Sequence, residues 1–299
     1  MNTDPTERTA AFNSRKERFS AFLRHTDQKQ IQLLAVVEGI RQHAPSVWAR
    51  ATASEGEFHA CFVGAGNGGL EIPLIQVIAL NRGTLEGMKI YCSDASDAMR
   101  EEFMTHAHTA GVDTVVERYD THRFEDPEYR PHQADLLIAS HVWYYVEDWR
   151  YAPGSFNSLV KFHRTVRDRG VGLITLYSES SDRYELITQL KSIDLQTEQE
   201  FPGEAVAEEC VRLEIPHETG LMEAQTDVSC CFHNDKFDPG HEGRLLLSFI
   251  LRADWDDLPK DTRDNIGRKL TEIVKRNGAA KMIFRDLYVW IFPRTTSTG

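Results

Sequence analysis

Four glycines fall within six positions of the run Phe62 to Ile72, FVGAGNGGLEI. A glycine-dense turn between a strand and a helix lets backbone N–H groups approach a ligand without Cβ obstruction. The run carries two spellings at once. Gly64, Gly66 and Gly69 read G-x-G-x-x-G, a dinucleotide pattern. Gly64, Gly66 and Gly68 read G-x-G-x-G, which suits S-adenosylmethionine (SAM). A tight structural turn is the third reading, and the loop alone does not choose among them.

The flanks discriminate. Both ligand classes want an acid at the end of the next strand to bind ribose hydroxyls, and Asp94 stands there, 25 residues after Gly69. A dehydrogenase then needs a second domain with its own catalytic constellation, and none of adequate size is apparent. A SAM site needs a polar residue after the third strand to meet adenine, which Asp120 in RYDTHRF supplies. It also needs polar and aromatic side chains where the fourth strand ends, which SHVWYY supplies. The expected cofactor set is Gly64, Ala65, Gly66, Asn67, Asp94, Ala95 and Ser96, with Met99, Asp120, Thr121, Ser140 and His141.

Methyl transfer from a sulfonium is an in-line displacement, in which an enzyme mainly orients the reacting atoms and excludes water. An amine must attack as the neutral base, so a proton acceptor nearby helps. No covalent nucleophile is required. His141 is the candidate proton acceptor, with Tyr144 and Tyr145 beside it as catalytic companions. Trp143, Tyr145 and Trp149 offer aromatic faces to a cationic substrate, each supplying roughly 0.5–2 kcal/mol by cation–π attraction. The competing readings are structural: alternate members of the run pack under a helix, and the histidine is hydrogen-bonded at a strand end.

These side chains require a frame. From about Asn13 to Trp48 apolar residues recur at helical spacing, as two helices broken near His25-Thr26-Asp27. Thr26 or Asp27 is placed to cap the second. Phe58 to Val63 reads as the first strand, and Pro73 to Leu80 as a helix with proline in its first turn. MKIYCSDAS is a strand ending at Asp94, SDAMREEFMTHAHTAG a helix, and TVVERYD a strand ending at Asp120. QADLLIASHVWYYV is the fourth strand, continuous and apolar as a buried parallel strand should be. A helix around Ser155 to Arg167 leads into the fifth, VGLITLYSES.

Five alternations predict an α/β fold with a Rossmann-like, doubly wound sheet and ligands at the carboxyl ends of its strands. Residues 182–216 read as helical and LMEAQTDVSCCF (221–232) as a strand. Two further helices precede the last strand, KMIFRDLYVWIF (281–292). The late pair of strands suggests an antiparallel edge hairpin interrupted by a helical insertion, seven strands in all. The expected layout is one domain over 11–299. Within it lie an N-terminal helical cap at 11–50, a cofactor core at 56–181, substrate-side helices and an edge strand at 182–280, and the final strand at 281–292.

In order and spacing, VGAGNGGLEI, YCSDAS, RYDTHRF and ADLLIASHVWYYVED resemble the cofactor motifs of class I SAM-dependent methyltransferases. More narrowly, the chain resembles the histamine N-methyltransferase family. The segments that carry this are Phe19 to Asp27, Trp143 to Asp148, Leu173 to Ser181, TDVSCCF at 226–232, and FRDL near the C-terminus. The resemblance implies SAM as cofactor, S-adenosylhomocysteine (SAH) as product, and a small-molecule acceptor, expected at the nitrogen of an amine or amino-acid-like metabolite. Transfer to oxygen, sulfur or carbon, and a nicotinamide-dependent oxidoreductase, are the alternatives. It also implies that Asp27, or Gln28 across a one-residue gap, anchors the substrate ammonium; a helix cap is the other reading of Asp27. His141 matches a polar residue that touches substrate. Asp286 matches a residue that orients it, an asparagine in the family, and carboxylates at both positions favour a positively charged acceptor.

Composition narrows the classes further. The 299 residues are 41% hydrophobic and 27% charged, ordinary for a globular protein. A net charge of −12 argues against nucleic acid, which needs a basic face. No apolar run is long enough to span a membrane, and the N-terminus lacks the apolar core of a secretion signal. Five cysteines without a C-x-x-C pattern read as reduced core thiols rather than a zinc site. A cytoplasmic monomer or homodimer, without membrane partner or metal, is the expectation.

Overall fold

The computed structural model describes residues 16–126, 129–146, 148, 157–190 and 201–293. FHACFV forms β1 (Phe58–Val63), buried at every position, as an apolar strand inside a parallel sheet must be. With β2 (Met88–Ser93), β3 (Val116–Asp120), β4 (Ala134–Ser140) and β5 (Val166–Tyr177), it makes a run of parallel pairs ordered β3-β2-β1-β4-β5. Beyond β5 come first β9 (Lys281–Ile291) and then β6 (His217–Asp227). The last strand thus lies between the fifth and the sixth, unlike the six-strand dinucleotide order 3-2-1-4-5-6. This is the Rossmann-like, seven-stranded sheet that was expected.

The helices are α1 (16–25), α2 (Gln28–His43), α3 (Pro45–Thr52), α4 (Glu71–Arg82) and α5 (Asp97–Thr109), then α6 (Ser158–Thr165), α7 (Asp182–Ile187), α8 (Gly203–Arg212), α9 (His241–Leu251) and α10 (Lys260–Asn277). Their ends are written locally. Ser96 Oγ accepts the Met99 N–H at 3.3 Å to start α5, and Asn157 Oδ1 accepts those of Leu159 (2.9 Å) and Val160 (3.2 Å) to start α6. Gly83 and Gly278 close α4 and α10 in the left-handed region, at φ 77° and 69°. Among the described residues no helix is long and apolar enough to cross a membrane.

Strand ends shift from the expectation. β4 stops at Ser140, because His141 adopts φ 53° and Trp143–Tyr145 form a short 3-10 turn. β6 stops at Asp227, whose Oδ1 accepts the Ser229 N–H at 2.8 Å and turns the chain. The polar stretch after it is a small hairpin, β7 (Phe232–His233) and β8 (Lys236–Phe237), joined through Asn234 and Asp235 at φ 49° and 60°.

The chain divides into two compact units. The first gathers Met1–Gln28, Tyr177–Glu200 and Glu223–Asp286. In it Phe22 stacks on Phe249 at 4.4 Å and faces Phe284 at 5.9 Å. Buried Asp182 binds Arg276 (2.5 Å), the Asn277 amide (2.7 Å) and the Ile283 N–H (2.6 Å), tying α7 to α10 and β9. The second unit gathers Lys29–Leu176, Phe201–Met222 and Leu287–Gly299. Its β1–β5 core is lined by Phe58, Phe62, Leu137, Ile138 and Leu173. At the amino ends of those strands Asp135 holds Arg50 (3.0 Å), Arg167 (3.2 Å) and the His59 N–H (2.9 Å).

Candidate functional site

The glycine loop joins β1 to α4 in the second unit, and three of its glycines take positive φ: Gly64 (64°), Gly66 (52°) and Gly68 (84°). Gly69 does not. The working pattern is therefore G-x-G-x-G. Two of these glycines are forced by packing, since a Cβ on Gly64 would lie 2.2 Å from Val142 and one on Gly68 2.4 Å from Ile72. Gly66 is different: a Cβ there would meet nothing within 4 Å. Its open side faces the space a ligand needs for close approach to backbone.

Two carboxylates border the loop. Asp94 follows β2 directly; its Oδ2 accepts the Gly66 N–H at 3.1 Å and its Oδ1 that of Ser96 at 3.0 Å. Burial raises the Asp94 pKa, and those two N–H donors partly oppose the rise. Glu71, first residue of α4 and 6% exposed, accepts the Leu70 N–H at 3.1 Å. Burial raises its pKa as well; Lys29 opposes the rise and Asp94 adds to it. Tyr119 donates its hydroxyl to the Gly66 carbonyl at 2.9 Å and is itself kept protonated by burial and by Asp94.

The rest of the expected cofactor set stands around this loop. Ala65 N–H binds the Ser93 carbonyl (3.0 Å), and the Asn67 carbonyl accepts from His106 Nδ1 (2.9 Å). Ala95, Ser96 and Met99 carry the chain from β2 into α5, with Ser96 as its cap. Asp120 ends β3; its backbone carbonyl accepts the Asp94 N–H (3.0 Å), while its carboxylate takes Arg118 Nε (2.5 Å). Thr121 follows it. Ser140 Oγ, where β4 ends, is buried with no hydrogen-bond partner among the described residues. β1 and β4 are where the strand order reverses, the place at which open α/β sheets bind ligands. An open glycine cradle and an orphaned hydroxyl on those two strand ends fit a polar cofactor.

After Ser140 the residues part company. The His141 N–H binds the Thr175 carbonyl (2.9 Å), its backbone takes the left-handed region, and its ring lies 6.3 Å from that of Tyr144. A non-glycine residue held there is a strained position of the kind found at active sites. Tyr144 is buried, 5.9 Å from the Phe201 ring, and Tyr145 is 47% exposed. Trp143 corrects an expectation. The 3-10 turn carries its indole inward against Phe162 (5.4 Å) and Phe124 (5.7 Å), fully buried, so it is a core side chain. Trp149 lies outside the described residues.

The first unit holds the remaining candidates. Asp27 Oδ1 accepts the Gln225 N–H (2.7 Å) and its own N–H returns to the Gln225 carbonyl (3.2 Å), a bracket on β6. Thr26 Oγ1 takes the Gln28 N–H (3.2 Å) at the start of α2. Gln28, 2% exposed, donates its Nε2 to both oxygens of fully buried Asp286, at 3.2 and 3.0 Å. Gln28 rather than Asp27 is thus the neighbour of Asp286. Tyr177 shares a hydrogen bond with Gln28; its pKa is pushed up to about 12, first by burial and further by Asp286. The Arg183 guanidinium lies 4.2 Å over the Tyr177 ring.

Four of these residues escaped the reading of the sequence: Glu71, Tyr119, Tyr177 and Arg183. Glu71 reads there as an ordinary acid in the first turn of a helix. Tyr119 is masked by Asp120 beside it, and nothing local marks the other two.

No family model matches the chain, and no curated protein matches it. Solved structures do. A candidate methyltransferase of Bacillus halodurans C-125 aligns at 11% identity and TM-score 0.49, covering 85% of this chain and 100% of that one. A candidate sarcosine dimethylglycine methyltransferase of Galdieria sulphuraria gives 12% identity and TM-score 0.45, with 84% of each chain covered. Geranyl diphosphate C-methyltransferase of Streptomyces coelicolor A3(2) gives 11% identity and TM-score 0.43, covering 85% and 79%. At this distance the acceptor has to be read from the chain itself.

Proposed function

We propose that the chain binds SAM on the glycine loop and methylates the nitrogen of a small amine or amino-acid-like metabolite. One observation carries the choice of cofactor. The backbone donors that a pyrophosphate would need at this loop are already committed to carboxylates: Gly66 N–H to Asp94, and Leu70 N–H to Glu71. Buried Glu71 and half-buried Asp94 also set a negative field at the helix N-terminus, which repels the phosphates of a dinucleotide and attracts a cation.

SAM, when bound, supplies an electrophilic methyl group on a sulfonium sulfur. Gly64, Ala65, Gly66 and Asn67 would hold its amino-acid end, Asp94 its ribose hydroxyls, Asp120 and Thr121 its adenine. Ala95, Ser96 and Met99 shape the wall that α5 presents, and Ser140 adds a hydroxyl from β4. His141 is the group we assign to accept the proton that an ammonium must lose before it attacks. Tyr144 and Tyr145 offer ring faces to the acceptor. Asp286 with Gln28 is the pair we assign to the acceptor's positive charge. A fully buried carboxylate that takes the Gln28 amide on both oxygens favours a cation over a neutral partner.

An acceptor screen tests the nitrogen assignment. Amines, phenols and thiols are offered with SAM, and SAH release is measured. Turnover confined to amines supports the reading; turnover of a phenol or a thiol alone overturns it.

A further inference from the structure

Buried carboxylates in this chain are paired with arginine in several places: Asp135 with Arg50 and Arg167, Asp182 with Arg276, Glu209 with Arg212. Glu71 and Asp94 are exceptions. Glu71 is buried and Asp94 half-buried, and each accepts only backbone N–H groups, Leu70 for the first and Gly66 and Ser96 for the second. No lysine, arginine or histidine among the described residues forms an ion pair with either. Lys29 acts on Glu71 without forming an ion pair, and Asp94 repels it. Burying a charge without a partner is costly. Two such charges flanking one glycine loop leave a place for a cation.

We infer that Glu71 binds the α-ammonium group at the amino-acid end of the cofactor, leaving Asp94 for the ribose. The inference rests on the SAM reading of the loop. The geometry favours Glu71 for this role because it opens α4 two residues after Gly69, while Asp94 already spans Gly66 and Ser96 just after β2. The residue would then set specificity: it distinguishes a cofactor bearing an amino-acid cation from an anionic nucleotide of similar size. As the residue opening α4, it would fix the amino-acid end from the helix side of the loop.

The test uses the full chain, two ligands and two forms of the protein. Calorimetric titration gives Kd for SAH and for the SAH analogue in which hydrogen replaces the α-amino group, with wild type and with Glu71→Gln. Glutamine keeps an acceptor for the Leu70 N–H. A buried ammonium–carboxylate contact is expected to weaken SAH about tenfold or more in Glu71→Gln, against less than about threefold for the analogue. The melting temperature of ligand-free Glu71→Gln should hold or rise, since an unpaired buried charge is gone. Equal losses for both ligands, or no loss for either, overturn the inference. Should the variant not fold, the wild-type Kd ratio decides: the analogue binding as tightly as SAH excludes an ammonium site. If wild type binds neither ligand, it is the SAM reading that fails, and this inference with it.

Discussion

Asp94 Oδ2 accepts the backbone N–H of Gly66 at 3.1 Å, which makes the glycine loop and the acid after β2 one hydrogen-bonded assembly. The pair were expected to serve one ligand. Their direct bond means that a ligand arriving at this loop meets a carboxylate where a dinucleotide needs a donor.

Replacing Asp94 by alanine removes the acceptor of two N–H groups, a loss of about 1–3 kcal/mol, but it also removes a half-buried charge. Net stability should therefore change little. The rise in melting temperature caused by SAH should disappear. A variant that melts like wild type and still responds fully to SAH contradicts the ribose assignment.

Glycine substitutions should separate packing from binding. Gly66→Ala meets no neighbour within 4 Å and suffers only the left-handed backbone, roughly 1–2 kcal/mol. Gly64→Ala adds a Cβ 2.2 Å from Val142, an overpacking cost of about 1–3 kcal/mol on top. Urea melts should rank Gly64→Ala well below Gly66→Ala, while SAH titration shows both impaired.

Acid should loosen the amino end of the sheet. Arg167 Nη2 lies 3.0 Å from His59 Nδ1, and arginine can only donate, so that nitrogen is an acceptor. His132 Nε2, also 3.0 Å from it, must then donate. Burial lowers the His132 pKa below its ordinary 6.5, and His59 and Arg167 add repulsion. A depressed histidine contributes stability that is present above 6.5 and lost as pH falls through the lowered value. Melting temperatures between about pH 5 and 7.5 should fall more steeply for wild type than for His132→Gln. Parallel curves exclude His132 as the source.

The carboxylates at the loop titrate with the opposite sign. Burial raises Asp94 above its ordinary 3.8 and Glu71 above its ordinary 4.5. The stability linked to their protonated forms is complete below those ordinary values and is lost as pH rises through the raised ones. A cationic ligand restores it. The SAH-induced shift should grow between about pH 4 and 7 in wild type and grow less in Glu71→Gln; identical profiles refute the link.

Asp286→Asn tests recognition of the acceptor. Asparagine still offers Gln28 an acceptor but no charge. A cationic amine should lose about 1.5–3 kcal/mol, roughly tenfold to a hundredfold in kcat/KM, with SAH affinity unchanged. An unaltered kcat/KM removes Asp286 from the substrate contacts.

Much of the fold was legible because alternation is a strong local signal. β1 begins and ends where FHACFV does. Legibility failed where backbone torsion overrode composition. SHVWYYV is apolar enough to continue β4, yet φ 53° at His141 ends the ladder and sends Trp143 into the core. It failed again where partners are remote in sequence. The Gln28–Asp286 contact spans 258 positions, so which of Asp27 and Gln28 neighbours Asp286 is visible only in three dimensions. Glu71 was hidden for a third reason: an acid opening a helix is so common that its burial and lack of an ion pair carry no local signature.

The most direct measurement is a thermal-shift titration of the full chain with SAH, run beside reduced nicotinamide dinucleotide. The account predicts stabilisation by SAH that follows RT ln(1 + [L]/Kd), about 2.7 kcal/mol at a hundredfold excess over Kd, and none by the nicotinamide. Stabilisation by the nicotinamide instead, or no response to SAH or SAM at millimolar concentration, would contradict it.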